Sequence, residues 1–314
     1  MASIAISPDE LVDRKPLTPG QVAWKRFLHH RMAIVGIWIL VGLVLYVTAG
    51  ALFFSEADAN YVDLRQKMTG PTSVHPFGTD MAGRDILART VYGGQISIII
   101  GILAVLVSVT VGVLIGAVAG YFGGLTDSIL MRFTEAMFNI PQLFLLIVLA
   151  KFFAGDTPTF TFLGRAYSGS VVIVVGVIGL TSWMYLARIV RSSFLSLKEQ
   201  EFVTAARATG APDLSIIFEH ILPSAMAPII VTATLEVANA ILSEAYISFL
   251  GMGVQPPTAT WGNMLNEAYN QLEAAPWMWF FPGTLILLIV LAINFVGDGL
   301  RDALDPQSLA GGQE

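Results

Sequence analysis

The sequence predicts an all-α membrane protein with six transmembrane helices. Three observations carry that prediction. The 314 residues are 55% hydrophobic and only 13% charged, against about 25% charged in a soluble domain, and the mean hydropathy is +0.70. The apolar residues fall in long runs: Met32 to Ser55 and Thr90 to Thr126 contain no charge. Crossing hydrocarbon as a helix takes about 20 such residues. Finally, one polar stretch, Glu199 to Pro223, stands between apolar runs and reads as helix, break, helix.

Taken in order, the first span is 32–55. The second is centred on 96–118. The third, 133–153, is flanked by Glu135 and Lys151 and contains Pro141. The fourth is 169–190. The fifth, 224–250, has Pro228 near its start and Glu236 and Glu244 inside it. The sixth is 277–296. Residues 1–20 are polar and Pro-containing and read as a flexible tail. Gln21 to His30 read as an interfacial helix, 21–307 as one transmembrane domain and 308–314 as a second tail.

An even number of spans puts both ends on one side. With the N-terminus inside, the inner segments hold Arg14, Lys15, Lys25, Arg26, Arg31, Arg132, Arg188, Arg191, Lys198, Arg207 and Arg301. The outer ones hold Arg65, Lys67, Arg84, Arg89, Lys151 and Arg165. The excess predicts cytoplasmic termini and places Glu199–Pro223 inside. Trp277, Trp279 and Phe280 fall where aromatic residues anchor a helix at the membrane interface.

Composition also excludes functions. A net charge of −6 argues against nucleic acid as a partner. Without cysteine there is neither disulfide nor thiolate chemistry. No G-x-x-x-x-G-K-[ST] loop is present, and Gly93-Gly94 and Gly123-Gly124 lack its lysine and helix context. The chain therefore is expected to have no ATP site, no catalytic residue, no cofactor and no metal. His29 and His30 are adjacent and cannot face one ligand, His75 precedes a proline in an outer loop, and His220 lies in the polar stretch.

That stretch has a local logic. Ala205 and Ala206 allow close approach of another backbone. Gly210 can take positive φ and end a helix. Pro212 blocks its continuation, and Asp213 is placed to cap the next helix.

Ala205-Ala206, then Gly210, then Leu222-Pro223 resemble the EAA loop of ABC importer permeases. Thr204 stands where that pattern has Glu, and His220 where it has Ile. His75-Pro76-Phe77-Gly78-Thr79-Asp80 with Gly83-Arg84-Asp85 resembles the stretch before the second span of peptide-type permeases. So do Ala119-Gly120-Tyr121-Phe122-Gly123-Gly124, Ser248-Phe249-Leu250-Gly251-Met252-Gly253 and Gly297-Asp298-Gly299-Leu300-Arg301-Asp302 at their places. In order and spacing, residues 20–307 resemble the second, C-type permease of dipeptide/oligopeptide/nickel ABC importers.

The resemblance implies a type I ABC importer permease fold with a cytoplasmic coupling helix between helices 4 and 5. It implies half of a pathway for peptides or related small solutes, in a bacterial or archaeal cytoplasmic membrane. Implied partners are a homologous permease forming a heterodimer, two cytoplasmic ABC ATPase subunits that bind ATP and Mg, an extracytoplasmic substrate-binding protein, and the lipid bilayer. Implied ATPase-coupling residues are Glu201, Thr204, Ala205, Ala206, Arg207, Gly210, Leu222 and Pro223.

Other residues stand out on physical grounds. Ser108, Gly112, Gly116 and Gly120 form a small-residue ridge, which packs either along the pathway and partner or within the subunit. A carboxylate at mid-bilayer costs about 2.5–3.5 kcal/mol and so faces a cavity or a partner. Glu236 and Glu244, with Asn239 and Asn294, are the pathway candidates; a hydrogen bond to a neighbouring helix is the other use of such a residue. The outer loop from Glu56 to Arg89 suits a plug or a docking surface, with Gln255-Pro256-Pro257 to Trp261 beside it. The alternative class is an ATP-independent secondary transporter, for which Glu236 is the one supporting feature; the inverted repeats common there are not evident.

Overall fold

A computed structural model of the chain describes residues 18–153, 158–162 and 165–305. Residues 1–17 of the expected tail, with Arg14 and Lys15, and the expected tail 308–314 lie outside them. Thr18, Pro19 and Gly20 do not belong to a tail: they open helix α1 (Pro19–His29). The Thr18 hydroxyl accepts from the Gln21 N–H, the Gln21 side chain accepts from the Thr18 N–H, and Pro19 occupies the first turn, where no N–H is needed.

Helix α2 (Arg31–Phe53) follows after one residue, with His30 as its cap. The His30 ring accepts from the Ala33 N–H at 3.1 Å. A short α3 (Glu56–Asn60) and a long loop lead to α4 (Ile86–Phe122), a helix of 37 residues far longer than the expected 96–118. Asp85 caps its start, its carboxylate accepting from the Ala88 N–H at 2.8 Å. Gly123 (φ 66°) and Gly124 (φ 54°) end it in a conformation that favours glycine.

The expected third span, 133–153, is not one helix. Helices α5 (Gly124–Phe138) and α6 (Gln142–Phe153) meet at an 86° bend. Pro141 causes it: the ring forces its predecessor out of helical geometry and supplies no N–H. Asn139 caps α5, its amide donating to the Glu135 carbonyl at 2.7 Å. Among the described residues, five helices are long and apolar enough to cross a membrane, and the count is six when the bent pair forms one span.

A hairpin absent from the sequence reading comes next. Strands β1 (Thr159–Phe162) and β2 (Arg165–Ser168) pair antiparallel, Thr159 opposite Ser168 and Phe162 opposite Arg165. The Ser168 N–H donates to the Thr258 hydroxyl, fastening the hairpin to the loop after the fifth span. Two short strands leave the fold all-α.

Helix α7 (Ser170–Leu197) leads to a helical elbow: α8 (Glu201–Ala208), α9 (Asp213–Ser215), a π-helical turn over Ile216–Ile221, and α10 (Leu222–Ser224). Then come α11 (Met226–Phe249), α12 (Trp261–Ala268) and α13 (Trp277–Leu304), which runs through Pro282 and past the expected end at 296.

Among the described residues, packing is most extensive between α4 and α7, and glycines set the distance. A methyl on Gly116 would lie 2.5 Å from the Ala187 carbonyl oxygen and 2.7 Å from Val190 Cβ; one on Gly120 would lie 2.6 Å from Phe194 Cβ. Gly112 meets the Trp183 carbonyl and Leu186. The three glycines of the ridge thus pack within the subunit, against α7.

The loop before α4 is built on charges. The Asp80 carboxylate accepts from the Ala82 and Arg84 N–H groups and from Arg84 Nε at 2.6 Å. Arg84 also reaches Glu267 at 2.6 Å, and Arg89, buried, lies 3.5 Å from Asp80 and 3.4 Å from Glu267. Burial opposes the Arg84 charge, yet Glu267 and Asp80 outweigh it and hold its pKa above the usual guanidinium value. His75 bonds Asp85 at 2.7 Å and Gln66, a structural role. Trp277, expected as an interface anchor, is instead half-buried, its indole N–H donating to the Thr79 carbonyl at 3.1 Å. Trp279 and Phe280 are exposed as expected.

Candidate functional site

Helices α5, α6, α7, α11 and the end of α13 enclose a cavity of about 1330 Å³. Helix α11 lines it from Pro228 to Tyr246, about 27 Å at 1.5 Å per residue, close to the thickness of the hydrocarbon layer. On that wall Thr232, Glu236, Asn239 and Ser243 all face the cavity. Their spacing of four, three and four puts them in one stripe along the helix. Gln142 from α6 and Ser182 from α7 face it too and bond each other at 3.4 Å.

Glu236 is the only carboxylate of the stripe. The Ser108 hydroxyl of α4 donates to its Oε1, while Oε2 is buried without a hydrogen-bond partner among the described residues. Ser108 was visible in the sequence only as part of the small-residue ridge.

The other two pathway candidates lie elsewhere. Glu244 is wholly buried and off the cavity wall. Ser97 and Ser248 donate to its two oxygens at 3.0 and 2.7 Å; those hydroxyls in turn accept from the N–H groups of Trp261 and Val254. Eight residues along a helix turn it by about 80°, enough to take Glu244 from the cavity into a structural tie. Asn294 donates to the Val290 carbonyl of its own helix at 2.9 Å and does not line the cavity.

The elbow joins two cavity walls, α7 and α11, at the end of the cavity lined by Ser224 and Arg301. In α8, Val203 and Ala206 turn inward and are buried; Glu201, Thr204, Ala205 and Arg207 are exposed. Ala205 and Ala206 therefore do not share a docking face. Thr204, where the EAA pattern has Glu, donates weakly to the Gln200 carbonyl at 3.4 Å. Gly210 adopts φ 82° and lets the Ala211 N–H reach the Ala206 carbonyl at 3.1 Å, stopping the helix.

Asp213 does not cap the following helix as expected. Pro212 is the cap residue, and the Asp213 carboxylate accepts the hydroxyl of Tyr121 from the end of α4. Arg207 stacks on the same tyrosine, its guanidinium carbon 5.6 Å from the ring centroid. The π-helical turn precedes Leu222-Pro223 and widens the backbone where the proline ring would otherwise crowd the carbonyl four residues back. Leu222 is half-buried and Pro223 exposed. Asp127 of α5 forms a two-pronged ion pair with Arg191 of α7. These pairings were not foreseen. Among the described residues, no group of three or more His, Asp or Glu is placed to hold a metal ion.

Comparison with known proteins converges on one family. Residues 112–308 match the model of the binding-protein-dependent transport system inner membrane component, and residues 18–71 match the N-terminal TM domain of oligopeptide transport permease C. The oligopeptide transport system permease protein OppC of Haemophilus influenzae is 39% identical over 91% of this chain and 88% of its own length. A putative peptide permease protein of Brucella suis is 44% identical over 93% of each chain. OppC of Bacillus subtilis is 38% identical over 95% of this chain and 93% of its own. Among solved structures, the inward-facing MetNI methionine ABC transporter contains a chain similar at a TM-score of 0.52 and 17% identity, covering 68% of this chain and 94% of that one. At that identity the likeness is one of fold.

Proposed function

The chain belongs to the binding-protein-dependent transport system inner membrane components, as a transmembrane permease subunit of an ABC importer, and on that premise we propose that it carries di- and oligopeptides. The relatives are named for oligopeptides. In this reading the cavity is half of the translocation pathway, completed by a homologous permease. The Thr232–Ser243 stripe gives the hydrogen-bonding groups of a peptide a polar track through an apolar wall, with Glu236 and Asn239 as its principal members.

One observation carries the mechanism: the elbow is the covalent link between α7 and α11, both of which wall the cavity. A cytoplasmic ATPase holding the exposed face of α8, with Glu201, Thr204, Ala205 and Arg207, would move those two walls when it closes on ATP. Gly210, Ala206, Leu222 and Pro223 would fix the elbow's shape. ATP and Mg belong to the two ATPase subunits. A substrate-binding protein would dock on the opposite, outer surface, near the Asp80–Arg84–Glu267 network. Both chain ends would then lie in the cytoplasm of a bacterial or archaeal cell.

Crosslinking tests this. In the assembled transporter, with no native cysteine in this subunit to interfere, the Ala205→Cys variant should form a disulfide with a cysteine placed on the ATPase surface, and the crosslink should change in yield when ATP is added. Uptake that needs no ATP, or an introduced thiol that reacts only with reagents on the outer side, would overturn the proposal.

A further inference from the structure

The elbow is covalently joined to α7 and α11 alone, yet a third helix is attached to it. Tyr121, in the last turn of α4, is 6% exposed and packs with Phe194 of α7 and with Val203, Ala206, Ile216, Ile217 and Ile221 of the elbow. Its hydroxyl leaves that apolar cluster to donate to the carboxylate of Asp213, and its ring receives the guanidinium of Arg207. Asp213 and Arg207 lie on opposite sides of the Gly210 break. One tyrosine thus grips both arms of the elbow.

Beyond Tyr121 the chain has a place to bend. Gly123 and Gly124 both have positive φ, and a methyl added to Gly124 would meet nothing within 4 Å. They join α4 to α5, and α5 leads directly to the Asn139–Pro141 bend, whose residues line the cavity. Helix α5 is held to α7 by the Asp127–Arg191 pair. A contact path therefore runs from the elbow through Tyr121 and the glycine pair to the cavity wall.

We infer that Tyr121 and Asp213 are positioning residues that transmit elbow displacement to α4 and, through Gly123-Gly124, to the broken α5–α6 span. This rests on the reading of the elbow as the ATPase handle. A hydrogen bond to an ionised acceptor is about twice as strong as a neutral one. It is therefore a contact able to drag a helix end that backbone connectivity leaves independent. Without it, α7 would still pull on α5 through the Asp127–Arg191 pair, but the end of α4 would follow the elbow less completely and hydrolysis would slip.

The test uses the complete transporter in proteoliposomes and measures peptide taken up per ATP hydrolysed. Tyr121→Phe keeps the ring in its cluster and deletes only the hydroxyl. Asp213→Ala removes the acceptor from the exposed side and serves if Tyr121→Phe assembles poorly. Each should lower uptake per ATP by about fivefold or more, the usual scale of coupling between sites, and the double variant should be no worse than either alone, because both break one bond. The Ala205→Cys crosslink to the ATPase should persist in both. Unchanged uptake per ATP in the two variants, or losses that multiply in the double variant, would overturn the inference while leaving the handle intact. Loss of the crosslink in an otherwise unaltered transporter would instead remove the handle itself, and this inference with it.

Discussion

Replacing Gly116 with alanine probes the tight contact between α4 and α7 with a single methyl. The new carbon would lie 2.5 Å from the Ala187 carbonyl oxygen and 2.7 Å from Val190 Cβ. Ordinary contact begins at 3.4 Å, so the methyl arrives most of an ångström too close. A backbone carbonyl in mid-helix cannot swing aside, and Val190, with no exposed surface, has nowhere to go. Helices α4 and α7 must move apart, and the neighbouring contacts at Gly112 and Gly120 loosen with them. Overpacking of this kind costs about 1–3 kcal/mol, at least about fivefold in the ratio of folded to unfolded protein. Gly176→Ala on α7 is the control, because a methyl there meets nothing within 4 Å and alanine is the better helix former by about 0.8–1 kcal/mol. Thermal unfolding of the detergent-solubilised protein, followed by tryptophan fluorescence, should show Gly116→Ala melting below wild type and Gly176→Ala melting at or above it. Combining Gly116→Ala with Val190→Ala should recover none of the loss, since both the Ala187 carbonyl and the Cβ of residue 190 remain. Equal melting of the two glycine variants would refute the ridge-to-helix packing.

Three further substitutions address other regions. Glu236→Gln keeps the size and the Ser108 hydrogen bond but removes the acid and one acceptor oxygen; the transporter should still assemble, with peptide uptake reduced about tenfold, the scale of one lost hydrogen bond to a charged peptide amino terminus. Undiminished uptake would take Glu236 out of the pathway. Arg89→Met leaves Asp80 and Glu267 short of a buried cation, and breaking a buried ion pair costs about 3–5 kcal/mol; the yield of folded protein should fall sharply, whereas Arg84→Lys, which keeps the charge, should fall less. Equal yields from the two would show that the outer network does not stabilise the fold.

Much of this was legible in one dimension because the bilayer imposes length and polarity so directly. Uncharged runs gave α2 and α4, and the acids at 236 and 244 stood out as costly wherever they pointed. Which of the two meets the cavity was not legible, since it turns on helix rotation set by Ser97, Ser108 and Ser248 on other segments. The third span misled because hydropathy averages across Pro141, whose effect is on geometry. The hairpin at Thr159–Ser168 hid because Thr-Phe-Thr-Phe and Arg-Ala-Tyr-Ser are too short to signal against the runs beside them. In the elbow, the glycine and proline chemistry could be read residue by residue, but Asp213 looked like a cap because its partner, Tyr121, lies 92 positions away.

The 86° bend between α5 and α6 has a consequence for what the cavity wall is made of. A helix end leaves carbonyls or amides without a partner inside the helix, and within a bilayer such groups persist only where they are buried in protein or meet a wet space. At Asn139–Gln142 two helix ends meet, beside the cavity. That stretch of wall offers main-chain dipoles, which belong to every amino acid alike. Its polarity therefore survives exchange of the side chains around it, and in the proposed pathway it would meet a peptide by the amide groups that all peptides share and not by the side chains that distinguish them.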